Sequence, residues 1–349
     1  MPTPDSGLSY NASYMLPFVT VIIPSYNHER FVEAAVRSAL ASEGVDDLEV
    51  LVIDDGSTDA SRDRLAAFAD DDRVQVVLQD NQGAHAALNR GLELARGELA
   101  FILDSDDVFD QERIRVLAER LRANPDAVIA ASWIEVIDAD GVRLGVKQAW
   151  RTLPPWPAAP GPSLSDLGDP RLALLETNWI STTSNIAFRT SLVRDHGLRF
   201  EPLRYAHDWD FILAGCHLGS VELVEEPLLR YRVHGANTIG EGDDTGQGLM
   251  RFEIMWAVAR HALRLLRHAA DGATDFDELR DRFLRSAPSF GRDEVLGQLL
   301  VLRGTDDLPP TAFDALLDPG HPFRRALVGP HRKPFGSIAT PASTGPSHR

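Results

Sequence analysis

The sequence predicts an α/β protein: a mostly parallel sheet, doubly wound by flanking helices, with a C-terminal helical extension. Three observations predict it. Short β-branched runs at residues 18–23, 48–53, 74–78 and 99–103 alternate with amphipathic helical stretches. Each run ends in a polar, turn-forming stretch, the place where open α/β sheets hold ligands. Beyond residue 249, apolar residues recur at helical spacing only.

Taken in order, residues 1–16 are small and polar and predict a flexible tail. The run 18–23 is a buried strand that Pro24 is expected to stop. The turn Pro24-Ser25-Tyr26-Asn27 leads into a helix carrying Phe31, Ala35 and Leu40. A second strand, 48–53, runs into Asp54-Asp55-Gly56-Ser57-Thr58-Asp59, which supplies capping residues for a helix with Leu65 and Phe68. The third strand, 74–78, leads to Asn81-Gln82-Gly83 and a helix with Leu88, Leu92 and Ala95 on one face. After a helix bearing Ile114, Leu117 and Leu121, residues 127–137 form a strand that turns at Asp138-Ala139-Asp140-Gly141 into a hairpin with 142–146. Residues 154–170 form an irregular, proline-rich loop. Order returns over 178–188, a helix opens near 206–210, and 221–224 and 228–233 are short strands. Residues 240–248 predict a linker, followed by helices over 249–266, 274–287, 291–303 and 310–317 and a basic, disordered tail over 330–349. The expected organisation is thus a tail (1–16), a principal domain (17–239), a helical region (240–329) and a second tail (330–349).

The densest chemistry lies at the end of the fourth run, Leu-Asp-Ser-Asp-Asp at 103–107. Strand alternation points Asp104 and Asp106 to one side. Two carboxylates ~5 Å apart repel by about 3 kcal/mol at an effective dielectric of 20, so the cluster calls for a cation, and hard oxygen ligands suit Mg²⁺ or Mn²⁺. The same aspartates also suit a helix N-cap, a role open to Asp110 as well. Net charge is −17, which argues against nucleic acid or an anionic membrane as a partner. Cys216 is the single cysteine, so neither a disulfide framework nor a thiolate metal cluster is available; it reads as core filler. No apolar run reaches the length of a membrane span, and residues 1–16 lack a basic region followed by an apolar core, so the expected location is cytoplasmic.

Four pieces in this order, Val-Ile-Ile-Pro-Ser-Tyr-Asn (21–27), Ile-Asp-Asp-Gly-Ser-Thr-Asp (53–59), Asn-Gln-Gly with Ala-Ala-Leu-Asn (81–89) and Leu-Asp-Ser-Asp-Asp (103–107), resemble the family 2 glycosyltransferases of GT-A fold. The resemblance covers about residues 18–125 closely and 175–235 loosely. It implies an inverting, hexosyltransferase-like enzyme that moves a sugar from a nucleotide-diphosphate donor, usually UDP-linked, to a carbohydrate or other hydroxyl acceptor with Mn²⁺ or Mg²⁺. Polysaccharide or glycoconjugate biosynthesis is the implied setting. Carried onto this sequence, it places Pro24 and Tyr26 at the nucleotide base, with Asp55 accepting from the uracil imide. Asn27 becomes either a turn residue or a nucleotide contact. Gly83 lets backbone approach the nucleotide, and Asn89 bonds the donor or stays on a helix surface. Asp104 faces both nucleotide and metal, Asp106 and Asp107 are metal ligands, and His234 of Tyr-Arg-Val-His ligates the metal, bonds the diphosphate or is structural.

Asp208, in His207-Asp208-Trp209-Asp210, matches the family's aspartate that takes the acceptor proton, a step worth about 10²–10⁴ in rate. The alternative for Asp208 is helix capping. His207 is a positioning residue, Arg230 or Arg232 can neutralise the diphosphate, and Trp179 with the stretch 181–185 lines the acceptor pocket. Two rival functions stand beside this one. A non-catalytic nucleotide-sugar binding module would keep the first half alone. A sugar-phosphate nucleotidyltransferase would carry a Gly-rich basic loop where Pro24-Ser25-Tyr26-Asn27-His28 stands. The apolar stripes of the C-terminal helices suit packing and also a homo-oligomer.

Overall fold

In the computed structural model, residues 16–148, 164, 170–235, 237, 244–269, 318 and 320 are described. Both expected tails apart from Leu16, most of the loop 154–170, and the helices expected at 274–287, 291–303 and 310–317 lie outside the described residues. The chain runs β1 (Val19–Ser25), α1 (Val32–Leu40), β2 (Leu48–Asp55), α2 (Ser61–Leu65), β3 (Val74–Gln79), α3 (Ala84–Leu94), β4 (Leu99–Ile102) and β5 (Val108–Phe109). It continues with α4 (Arg113–Ala123), β6 (Ala127–Ile137), β7 (Arg143–Lys147), α5 (Pro170–Glu176), β8 (Ala187–Arg189), α6 (Ser191–Arg194), α7 (His207–Cys216), β9 (Ser220–Arg232) and α8 (Asp244–Ala269).

These strands form one sheet in the order β3-β2-β1-β4-β8-β6-β9-β5, with β7 added to β6. The first four pair in parallel, as right-handed crossovers through helices require. Beyond β4 the pairing is mixed: β8 is antiparallel to β4 and β6, and β5 to β9, while β6 and β9 run parallel. Alternation along β1 sends Val19, Val21 and Ile23 into a core with α1 and α4, and Ile22 into a second core with α3, α7 and α8. Helix α8 contributes Phe252 and Trp256 to that second core. No described helix is long and apolar enough to cross a membrane.

Three local differences from expectation have physical causes. Strand β1 passes through Pro24 to Ser25, because its ladder with β4 ends at Ile22 and no partner there needs the missing amide. The two short strands expected over 221–233 are one strand, β9, whose register shifts opposite Ser132–Ile134, close to Pro227. The expected linker 240–248 gives way at Asp244 to α8.

Candidate active site

Three loops are pinned together at the carboxyl ends of β1, β2 and β3. Asn27 adopts a left-handed φ of 54°, and its Oδ1 accepts the Thr58 N–H at 2.8 Å while its own N–H donates to Ser57 Oγ at 3.0 Å. Asp54, fully buried, accepts from Ser57 N–H (3.1 Å) and Arg62 Nε (2.7 Å). Asp55 Oδ1 accepts from Gln79 Nε2 (2.8 Å) and Gln82 N–H (2.9 Å), and its Oδ2 from Gly83 N–H (2.8 Å). A carboxylate offers about four acceptor positions, so Asp55 keeps roughly one for a ligand. Gly83 has φ +94° and precedes α3, a conformation that L side chains rarely adopt. Tyr26 is 45 % exposed beside this loop cluster, and Pro24 is buried under it. Asn89 is committed elsewhere: its Nδ2 donates to the Phe200 carbonyl (2.8 Å) and its Oδ1 accepts the Phe200 N–H (2.9 Å).

The acidic stretch is a turn, not a strand continuation. Strand β4 ends at Ile102, and Asp107 N–H closes onto the Asp104 carbonyl at 3.0 Å, so the expected alternation of Asp104 and Asp106 does not apply. The three carboxylates diverge. Asp107, 1 % exposed, points inward, where Ser184 Oγ donates to its Oδ2 (2.6 Å) and Arg232 N–H to its Oδ1 (2.8 Å). With one bond to each oxygen, Asp107 braces the turn, and it stands apart from the His28, Asp106 and His234 group. Burial, followed by the charges of Asp106 and Asp104, holds its carboxyl well above the usual range. Below it lies Arg113, fully buried, donating to Ser132 Oγ (2.7 Å), the Ser184 carbonyl (3.2 Å) and Asn185 Oδ1 (3.1 Å). Burial lowers the Arg113 guanidinium to about 9, against the opposing pull of Asp107. Asp104 N–H donates to Ser184 Oγ (2.8 Å), and burial, then Asp106, pushes the Asp104 carboxyl up to about 7.

Asp106 turns to two imidazoles. Its Oδ2 lies 3.0 Å from His234 Nε2 and 3.9 Å from His28 Nε2, and one ligand atom from each of the three residues falls within 4.8 Å of the others. His28 Nδ1 is bonded to Ser105 Oγ at 2.7 Å, so a proton on Nδ1 leaves the Nε2 lone pair facing Asp106. Two imidazoles and a carboxylate suit Mn²⁺ or another transition ion well, and Mg²⁺ less well. His234 also packs on Phe31, ring centroids 4.8 Å apart, and the Arg232 guanidinium lies over the same Phe31 ring, 4.9 Å from its centroid. Arg232 Nε donates to the Asp106 carbonyl (2.8 Å), so it braces the turn from behind. Arg230 faces outward to Glu135 (3.2 Å) and Asp110 (3.7 Å).

Asp208 stands in the first turn of α7, buried, its Oδ1 accepting Trp209 N–H (2.6 Å) and its Oδ2 the Asn178 amide (3.3 Å). Asn178 is itself fixed, because its Oδ1 accepts the N–H groups of Ile180 (3.2 Å) and Ser181 (3.0 Å), the latter at a left-handed φ of 77°. Burial raises the Asp208 carboxyl, and His207 pulls it back. Asp208 is near enough to add to the upward shift of Asp104, and its charge reaches Lys147 at the end of β7, whose amine burial lowers to about 8. Burial, followed by the charges of Asp107, Asp106, Asp104 and Asp208, holds the phenol of Tyr231 on β9 protonated. His207 Nε2 meets Thr183 Oγ1 at 3.1 Å. Trp179 is 8 % exposed within the larger core, so little of its face is open for a sugar. Among the described residues, Asp104, Asp106, Asp208 and Tyr231 therefore share one electrostatic neighbourhood, while Asn89 and Arg230 are engaged away from it.

The sequence did not single out His28, Asn178, Arg113 and Lys147 as site residues, whereas Ser184 falls in the stretch 181–185 and Tyr231 in Tyr-Arg-Val-His. His28 directly follows the 21–27 motif, and that position was the signal available for it. Asn178, Arg113 and Lys147 are joined to the site only by long-range pairing, which no local pattern announces.

A parallel sheet half with loops converging at its carboxyl edge and an acidic turn define an α/β architecture of the glycosyltransferase class. The family model "Glycosyl transferase family 2" matches residues 20–194, and the chain belongs to that family. Two relatives are the glycosyltransferase alr2836 of Nostoc sp., 30% identical over 63% of this chain and 66% of that protein, and the succinoglycan biosynthesis protein ExoO of Rhizobium meliloti, 31% identical over 79% and 76%. The chain thus spans just under two thirds of the first and about three quarters of the second. Among solved structures, S. aureus TarS 1-349 in complex with UDP-GlcNAc superposes with a TM-score of 0.58 at 18% identity, covering 89% of this chain and 81% of that one. The mannosyltransferase PcManGT from Pyrobaculum calidifontis in complex with GDP-Man and Mn²⁺ gives 0.51 at 19% identity, covering 90% and 85%. Both likenesses concern the fold.

Proposed function

We propose that the protein transfers a sugar from a nucleoside-diphosphate donor to a hydroxyl acceptor with inversion at the anomeric carbon. The acceptor oxygen bonds to that carbon as its bond to the diphosphate breaks, the nucleotide leaves with the electron pair, and Asp208 takes the acceptor proton. The observation that carries this proposal is the buried Asp208, held by Asn178 and close enough to the acidic turn for its charge to act on Asp104. Burial raises Asp208 above the ordinary carboxylate range, which brings a base closer to the pH at which it must accept a proton.

His28, Asp106 and His234 would hold a divalent ion, with Asp104 beside them. A bound Mn²⁺ or Mg²⁺ supplies the positive charge that a diphosphate leaving group requires. The exposed Tyr26 ring offers a face for the base, and the free acceptor position on Asp55 suits the imide N–H of uracil, which favours UDP. The relative named for succinoglycan biosynthesis supports a carbohydrate acceptor.

Calorimetry with UDP, GDP and dTDP, each with Mn²⁺ or EDTA, tests the donor side. UDP should bind most tightly, need Mn²⁺, and weaken at least ~10-fold in Asp106→Asn. Equal UDP affinity in EDTA would remove the metal from the scheme, and preference for GDP would remove the Asp55 contact.

A further inference from the structure

Helix α8 and the segment that carries Asp208 both lie beyond the residues 20–194 that match the family model, and α8 grips that segment. The N-cap position of α7 is Ala206, which has no side chain able to cap the helix. Glu253 of α8, 2 % exposed, instead holds the chain that enters α7: one carboxylate oxygen accepts the Arg204 N–H (3.0 Å), the other the Tyr205 N–H (2.6 Å). Its negative charge also stands where the helix dipole of α7 is positive. Two turns further along α8, the buried His261 bonds Asp210 Oδ1 through Nε2 at 2.9 Å and meets His217 with its other nitrogen at 3.1 Å. Arg260 pairs with Glu201 at 2.7 Å and with the second Asp210 oxygen at 3.7 Å.

Asp208 and Asp210 are two residues apart, so they project from nearly opposite sides of α7. The contacts of α8 therefore fall on the far side of α7 from Asp208 and on the chain that enters it. Burying a carboxylate is unfavourable unless it is hydrogen-bonded, and the bonds of Glu253 go to the amides two and three residues before His207.

We propose that α8 is a clamp that aims Asp208, with Glu253 as its positioning residue. This rests on Asp208 being the base. In the full chain, Glu253→Ala should speed amide hydrogen exchange over residues 204–209 at least ~10-fold and leave residues 83–90 and 104–107 unchanged. Affinity for UDP with Mn²⁺ should stay within about threefold. Nucleotide release from UDP-N-acetylglucosamine, or from GDP-mannose if the wild type prefers it, should fall ~10–100-fold in kcat with the donor KM unchanged. Glu253→Gln, which keeps one accepting oxygen, should recover a large part of that loss. Placed on Asp208→Asn, Glu253→Ala should cost less than about threefold more, because the group it aims is already gone.

Unchanged exchange at 204–209, or exchange raised evenly across the core, overturns the clamp. So does full additivity with Asp208→Asn. Wild-type turnover in Asp208→Asn alone overturns the base assignment, and the positioning role with it, whatever the exchange data show.

Discussion

Asp208→Asn separates proton acceptance from the other work of that side chain. Its structural effect is small and can be worked out bond by bond. The asparagine oxygen still accepts the Trp209 N–H, but its amide nitrogen meets Asn178 Nδ2, donor against donor, where the native distance is 3.3 Å. Asn178 cannot exchange its amide ends, since Oδ1 already holds Ile180 and Ser181. The lost bond costs about 1 kcal/mol. Removing a buried charge that burial already disfavours offsets a similar amount at neutral pH. The melting temperature should therefore stay within about 3 °C of wild type. Turnover should fall by ~10²–10⁴, about 3–5 kcal/mol of transition-state stabilisation, with nucleotide affinity unchanged. Steady-state nucleotide release with an acceptor screen, paired with thermal denaturation, measures both. Turnover within tenfold of wild type refutes the assignment. In the wild type, the acid limb of kcat should lie above the ordinary carboxylate range, because turnover needs the ionised form. Asn178→Ala should move that limb higher still, since the amide bond favours the charged carboxylate.

Two further outcomes follow from the acidic turn. Asp104 binds its proton more tightly in the folded chain, so the metal-free protein loses stability as pH rises from about 4 to about 7 and carries the full penalty above that. Asp104→Asn should accordingly melt higher than wild type at pH 8 in EDTA and about equally at pH 4; a lower melting point at pH 8 would contradict the raised carboxyl. Arg113→Met leaves Asp107 without its buried counter-charge and removes a guanidinium bond from Asn185 Oδ1, which keeps the Ser132 N–H, and should cost about 3–5 kcal/mol in urea denaturation. A cost below about 1 kcal/mol would show that the guanidinium does not brace the turn.

The parallel half of the sheet was legible because each of its strands is a contiguous β-branched run with turn residues behind it. The antiparallel half was less so. Strand β8 is three residues long and β5 two, too short for periodicity to mark them. Asp104, Asp106, Asp208 and His234 stand out through motif order, and the structure sets His234 against Asp106 and both Asp106 and Asp208 near Asp104. Asp107 illustrates the limit: its neighbours in sequence suggest a ligand, but its orientation is set by Ser184 and Arg232, which are 77 and 125 positions away. Asn89 likewise reads as a donor contact until Phe200, 111 positions on, takes both ends of its amide.

The acidic turn is bracketed by two ladders, β4 on β1 before it and β5 on β9 after it. Side chains alternate faces along a strand, so removing or adding one residue between 103 and 107 would swap Phe109, 2 % exposed, with the neighbouring Val108. The spacing between the ladders thus has a parity as well as a length. Homologous exchange or engineered shuffling of this segment should tolerate substitutions far better than single-residue insertions, with compensating slips expected in β5 before any change appears in β4.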